Sequence, residues 1–102
     1  MASAWIDAFG KEYGLEEAES ALSKAGFDDL SWKNDACPKW VRQDGETVYA
    51  DHPDPLKRIR EAGSCLRYEV WIPDEDGDLT AESESFSSDS LVSVLSFIQG
   101  RA

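Results

Sequence analysis

Lys39-Trp40-Val41-Arg42-Gln43-Asp44-Gly45-Glu46-Thr47-Val48-Tyr49-Ala50-Asp51 decides the fold class. Aromatic and β-branched residues lie on both sides of Asp44-Gly45, a strong hairpin dipeptide because a type I′ turn needs positive φ at both central positions. Two strands are predicted, Lys39–Gln43 and Glu46–Asp51, with Val41 opposite Val48 on one face and Trp40 opposite Tyr49 on the other. Cross-strand pairs of this kind contribute roughly 0.2–1 kcal/mol each. Pro38 has no N–H to give a ladder and fits the start of the first strand.

Beyond the hairpin, His52-Pro53-Asp54-Pro55 ends the second strand. Asp54 as N-cap and Pro55 at the first helical position predict a short helical turn carrying Leu56 and Ile59, closed by Gly63. Cys65–Pro73 reads as a further strand, with Leu66, Tyr68, Val70 and Ile72 facing one way and Arg67, Glu69 and Trp71 the other. The turn Asp74–Asp78 then leads into a return strand from Leu79 to Phe86. Ser87 caps a last helix, with Phe86 and Leu91 as its hydrophobic staple, Leu91, Val94, Leu95 and Ile98 as its buried stripe and Gly100 at its end.

On the N-terminal side, Leu30 and Trp32 alternate in a short strand. A helix is predicted from Leu15 to Ala25. Leu15, Ala18, Leu22 and Ala25 share a stripe, Glu16 and Glu17 stand in the dipole-favoured first turn, and Gly26 supplies the exit. An earlier helix begins after Ser3 and presents Trp5, Ile6, Phe9 and Tyr13, weakened by Gly10 and Gly14. The expected architecture is α+β: a single domain over residues 1–102, an antiparallel sheet of four to five strands, and N-terminal and C-terminal helices packed on one face.

The chain has 102 residues, 41 % of them hydrophobic, and a formal net charge of −11, so a packed core is within reach and the composition argues against wholesale disorder. The charge is not evenly spread: residues 1–32 carry a balance of −5, 33–67 of +1, and 68–100 of −8 with no Lys or Arg at all. This argues against nucleic acid or an anionic membrane as a direct partner. No apolar run approaches the ~20 residues of a membrane span, and Met1–Gly10 lacks the basic-then-apolar pattern of a leader. The two cysteines, Cys37 and Cys65, have no CxxC spacing and read as reduced thiols of a cytoplasmic protein.

Motifs for chemistry are sparse. Asp74-Glu75-Asp76-Gly77-Asp78 invites a calcium reading, but an EF-hand register puts Leu79 at the glycine position or Ile72 at the first ligand position. His52 is the one histidine, so a nucleophilic Cys–His pair or a zinc site has little to draw on. The seven glycines form no phosphate loop. The expectation is a non-catalytic protein with no metal and no cofactor.

Two features remain as binding candidates. Ser31-Trp32-Lys33-Asn34-Asp35-Ala36-Cys37-Pro38-Lys39-Trp40 holds two Trp among cations. Trp32, Lys33, Lys39 and Trp40 form either a contact patch or, on the plainer reading, two core aromatics with balancing charges. The acidic last third is the stronger feature. Asp78, Glu82 and Glu84 would share one face of the return strand, on which alternate residues stand about 6.7 Å apart, with Asp74, Glu75 and Asp76 extending the row past the turn. Glu12, Glu16, Glu17 and Glu19 could add a second row if the N-terminal helices lie alongside. Holding like charges together costs stability, which points to a basic partner surface, such as a nucleic-acid-binding protein or a nuclease. The leading expectation is a small acidic inhibitor acting as a DNA mimic. By size and charge it is analogous to anti-CRISPR, anti-restriction and nuclease-immunity proteins. The alternative is a soluble accessory module whose acidity serves solubility or salt adaptation and whose recognition runs through the Trp32–Trp40 region.

Overall fold

Glycines punctuate the N-terminal segment as its sequence requires. In the computed structural model, which describes residues 3–34, 37–54, 66–80 and 83–100, helix α1 spans Ala4–Phe9 and ends at Gly10, whose φ is +102°. A single 3-10 turn, Lys11–Tyr13, follows and ends at Gly14 in the left-handed region. Helix α2, Glu16–Lys24, buries Ala18 and Leu22, places three glutamates in its first turn and Lys24 in its last, and exits through Gly26 at φ +92°.

Five antiparallel strands follow in spatial order β1-β2-β3-β4-β5: Phe27–Asp29, Lys39–Arg42, Thr47–Ala50, Tyr68–Trp71 and Ser85–Ser88. Helix α3, Leu91–Gly100, completes the fold. Trp40, Val48, Val70 and Phe86 lie in one cross-strand row and so point to one face of the sheet. On that face α2 packs over β1, α3 packs over β4 and β5, and the two helices touch. The core comprises Trp5, Leu15, Leu22, Phe27, Trp40, Val48, Val70, Val94 and Ile98, with Phe86 stacked on Phe97 at 4.7 Å. The α+β reading, with helices on one face, is therefore the observed arrangement.

Four local expectations are corrected. The hairpin register is shifted by one residue: Trp40 faces Val48, Val41 faces Thr47, and Lys39 faces Tyr49. Arg42 C=O accepts from Gly45 N–H at 2.8 Å while Arg42 N–H donates to Glu46 C=O at 2.9 Å. The loop is thus Gln43-Asp44-Gly45, with Gly45 alone at positive φ, and not a two-residue type I′ turn. The reason lies in the core. Because a one-residue slip flips every side chain to the other face, the added loop residue lets Trp40 and Val48 bury together under the helices.

The first strand lies at Phe27–Asp29, not at Leu30–Trp32. Leu30 N–H still donates to Lys39 C=O, but Ser31 Oγ then accepts from Lys39 N–H and ends the ladder with a side chain. The last strand is Ser85–Ser88 rather than Leu79–Phe86, and Leu79 is exposed. It is held by pairing of Ser87 with Glu69 and Ser88 with Tyr68, so Ser87 is not a helix cap. Ser90 caps α3 instead, its Oγ accepting from Ser93 N–H and its carbonyl from Val94 N–H. The helical turn expected at Asp54–Gly63 and the strand start at Cys65 lie largely outside the described residues.

Strand alternation sorts the connections to two ends of the sheet. One end holds the Gln43–Gly45 loop, the link from β4 to β5, and the exit from α2 into β1. The other holds Gly14, Leu15 and the starts of β4 and α3. There Arg67 ties the layers together, donating to Tyr13 C=O (2.5 Å), Gly14 C=O (3.3 Å) and Asp51 C=O (3.2 Å).

Candidate functional site

The acidic turn is built by Asp74. Its carbonyl accepts from Gly77 N–H at 3.0 Å, and its N–H donates to Asp78 C=O at 2.9 Å. Its Oδ1 accepts from Asp76 N–H at 2.9 Å and Asp78 N–H at 3.0 Å. One carboxylate thus braces the turn from within, Gly77 supplies the positive φ of +84°, and Glu75, Asp76 and Asp78 project into solvent. Such Asx-type bracing explains why an aspartate, not a glutamate, stands at the turn's first position.

Of the row expected along an Asp78–Glu84 strand, Asp78 and Glu84 both lie before β5 and are not strand residues. Glu84 is exposed beside the end of β4, its carbonyl accepting from Ile72 N–H at 2.9 Å. Glu82 lies outside the described residues. A different acid joins the turn. A Cβ placed on Gly45 would meet Pro73 Cγ at 3.2 Å and Gly77 O at 3.9 Å, so the tip of the β2–β3 hairpin abuts the acidic turn. Asp44, with a side chain 57 % exposed, therefore stands at the same end. Arg42, at the end of β2 beside this tip, ion-pairs with Glu46 and lies 3.5 Å from Asp44 Oδ2. Among the described residues no Lys or Arg ion-pairs with Asp74, Glu75, Asp76 or Asp78.

The second acidic row is corrected as well. Helix α2 turns back into β1 at Gly26, so its first turn points away from the acidic end by its own length of about 13 Å. Glu12, Glu16 and Glu17 belong to the end that Arg67 closes. Glu19 has a separate role, accepting from the Trp5 indole N–H at 3.0 Å.

The chain matches no family model, no curated protein and no solved structure.

The tryptophan patch divides. Trp40 is 1 % exposed and belongs to the core, whereas Trp32 is 58 % exposed, contrary to the plainer reading of both as core. Lys33 is exposed, and Lys39 is half-buried on the sheet face away from the helices. What remains as surface is Leu30, 52 % exposed, with Trp32 and Lys33, held outward because Ser31 between them is tied to Asp29 and Lys39.

Cys37 is a buried thiol, and Cys65 lies outside the described residues. His52 Nδ1 accepts from Asp54 N–H at 2.9 Å and its ring meets Tyr13 edge-on at 4.9 Å. Burial pushes the Tyr13 phenol above its ordinary value, and the electrostatic influence of Asp51, then of Cys37 and Glu12, pushes it the same way. Among the described residues no three His, Cys, Asp or Glu side chains converge in a metal-holding group, and no helix is long and apolar enough to cross a membrane.

Sequence reading missed Asp44 as part of the acidic end. It also missed Asp29, which accepts from Trp5 N–H at 3.0 Å and so caps α1, whose N-cap residue Ser3 makes no side-chain bond. Neither signal is local: each depends on residues more than twenty positions apart.

Proposed function

We propose that this protein is a small non-catalytic binding protein whose acidic end occupies a basic groove on a partner protein, a groove of the kind that otherwise holds nucleic acid. The observation that carries this reading is the turn Asp74–Asp78. It is braced internally, displays Glu75, Asp76 and Asp78 to solvent without a counter-cation among the described residues, and is joined by Asp44. Unneutralised like charges on a rigid support cost stability in isolation and gain most when a basic surface meets them. Association is then fast and falls steeply with salt, as screening shortens the reach of the field to about 8 Å at physiological ionic strength.

The test is capture from the native host at low and high salt, followed by competition with duplex DNA for the captured protein. The triple reversal Glu75→Lys, Asp76→Lys, Asp78→Lys leaves the fold intact and abolishes capture. Capture that survives the reversal unchanged would sink the proposal. A second reading, recognition through Leu30, Trp32 and Lys33, has the exposure of those two apolar side chains in its favour. Under it, Trp32→Ala removes binding and the triple reversal does not.

A further inference from the structure

A cleft of about 580 Å³ runs between α2 and the edge strand β1, with the start of α1 at one end. Its volume lies within the ~300–1,000 Å³ typical of ligand sites. Phe27 and Trp40 give it an apolar lining, Glu19 and Asp29 bring carboxylates, and Ser20 and Ser23 hydroxyls, while Asp28, paired with Val41 on the opposite face of the sheet, borders it as part of the edge strand. Among the described residues no Lys or Arg lines it. Two of the acids are fixed in place before any ligand arrives: Glu19 Oε2 accepts from the buried Trp5 indole, and Asp29 accepts from Trp5 N–H and Ser31 N–H. Among the described residues, none donates to Glu19 Oε1, and no cation pairs with Glu19 or Asp29.

We infer that this cleft is a socket for an arginine side chain of the protein partner, an inference that rests on the function proposed above. Charge complementarity calls for a cation. The mixed lining selects guanidinium over ammonium, because a guanidinium is flat, weakly hydrated, tolerates an aromatic neighbour and bonds carboxylates through a rigid fork of donors. Preorganised acceptors also spare the ligand the entropy of ordering them. The acidic end would then steer the encounter, and the cleft would discriminate between basic partners.

The experiment titrates the ¹⁵N-labelled full chain with capped Gly-Arg-Arg-Gly and, separately, capped Gly-Lys-Lys-Gly at constant ionic strength. The arginine peptide shifts the amides of Ser20, Ser23, Asp28 and Trp40 saturably and binds several-fold more tightly than the lysine peptide. Glu19→Gln weakens it about five-fold, through loss of its charge-assisted bond to the guanidinium. Glutamine keeps an acceptor for the Trp5 indole, so the fold is preserved. Glu16→Gln, matched in net charge, changes affinity less than about two-fold. Shifts confined to Asp44 and the Asp74–Asp78 turn overturn the socket while leaving the acidic-end function standing, as does equal binding of the two peptides. Binding of neither peptide anywhere on the chain overturns both.

Discussion

Gly45 and Pro73 are in contact across the end of the sheet: a Cβ at Gly45 would lie 3.2 Å from Pro73 Cγ. This approach brings the β2–β3 hairpin tip against the acidic turn, and the missing side chain of Gly45 makes room for it. Gly45→Ala combines strain at φ +95° with that contact, whereas Gly77→Ala at φ +84° meets no atom within 4 Å. Backbone strain alone costs about 1–2 kcal/mol. Urea midpoints should therefore show Gly45→Ala as the more destabilised, and an equal loss in the two variants would remove the contact from the account.

Trp40 and Trp32 separate in the same assay. Trp40→Ala empties a core site and costs about 3–5 kcal/mol, a large part of the ~5–15 kcal/mol that stabilises a domain. Trp32→Ala changes an exposed side chain and stays within about 0.5 kcal/mol.

Within the acidic turn the acids divide by role. Asp74→Ala removes the acceptor of two backbone N–H bonds and lowers stability by about 1–2 kcal/mol. Glu75→Gln and Asp76→Asn relieve like-charge repulsion and are neutral or slightly stabilising. Faster hydrogen exchange at the Asp76 and Asp78 amides in Asp74→Ala alone checks the assignment.

Tyr13 gives the fold a pH dependence on the alkaline side. Its folded pKa is raised above 10.0, first by burial and then by Asp51. The folded state therefore holds the proton more tightly than the unfolded state. The stabilisation is complete below pH 10.0 and is lost as pH rises from there through the folded pKa. Absorbance titration of the three tyrosines should show Tyr13 ionising above its free value. Tyr13→Phe flattens this part of the alkaline decline, and Asp51→Asn lowers the Tyr13 pKa.

Much of this molecule follows from near neighbours in the chain. The helix at Leu15–Ala25, its exit at Gly26, the breaks at Gly10 and Gly14, the hairpin about Asp44-Gly45 and the inward face Tyr68, Val70 and Ile72 rest on periodicity, capping and turn chemistry, which act over a few residues. The sequence by itself thereby determined an antiparallel α+β sheet and an exposed acidic turn at Asp74–Asp78. Tertiary structure decided the rest, because the deciding groups are distant in sequence. Burial of Trp40 with Val48 selected the three-residue loop over the two-residue one. Pairing with β4 drew Ser87 and Ser88 into the sheet and moved the start of α3 to Leu91. The ladder's end at Ser31 left Trp32 in solvent while Trp40, eight positions on, became core. Close packing of Gly45 on Pro73 placed Asp44 beside the acidic turn, a juxtaposition that no local pattern encodes.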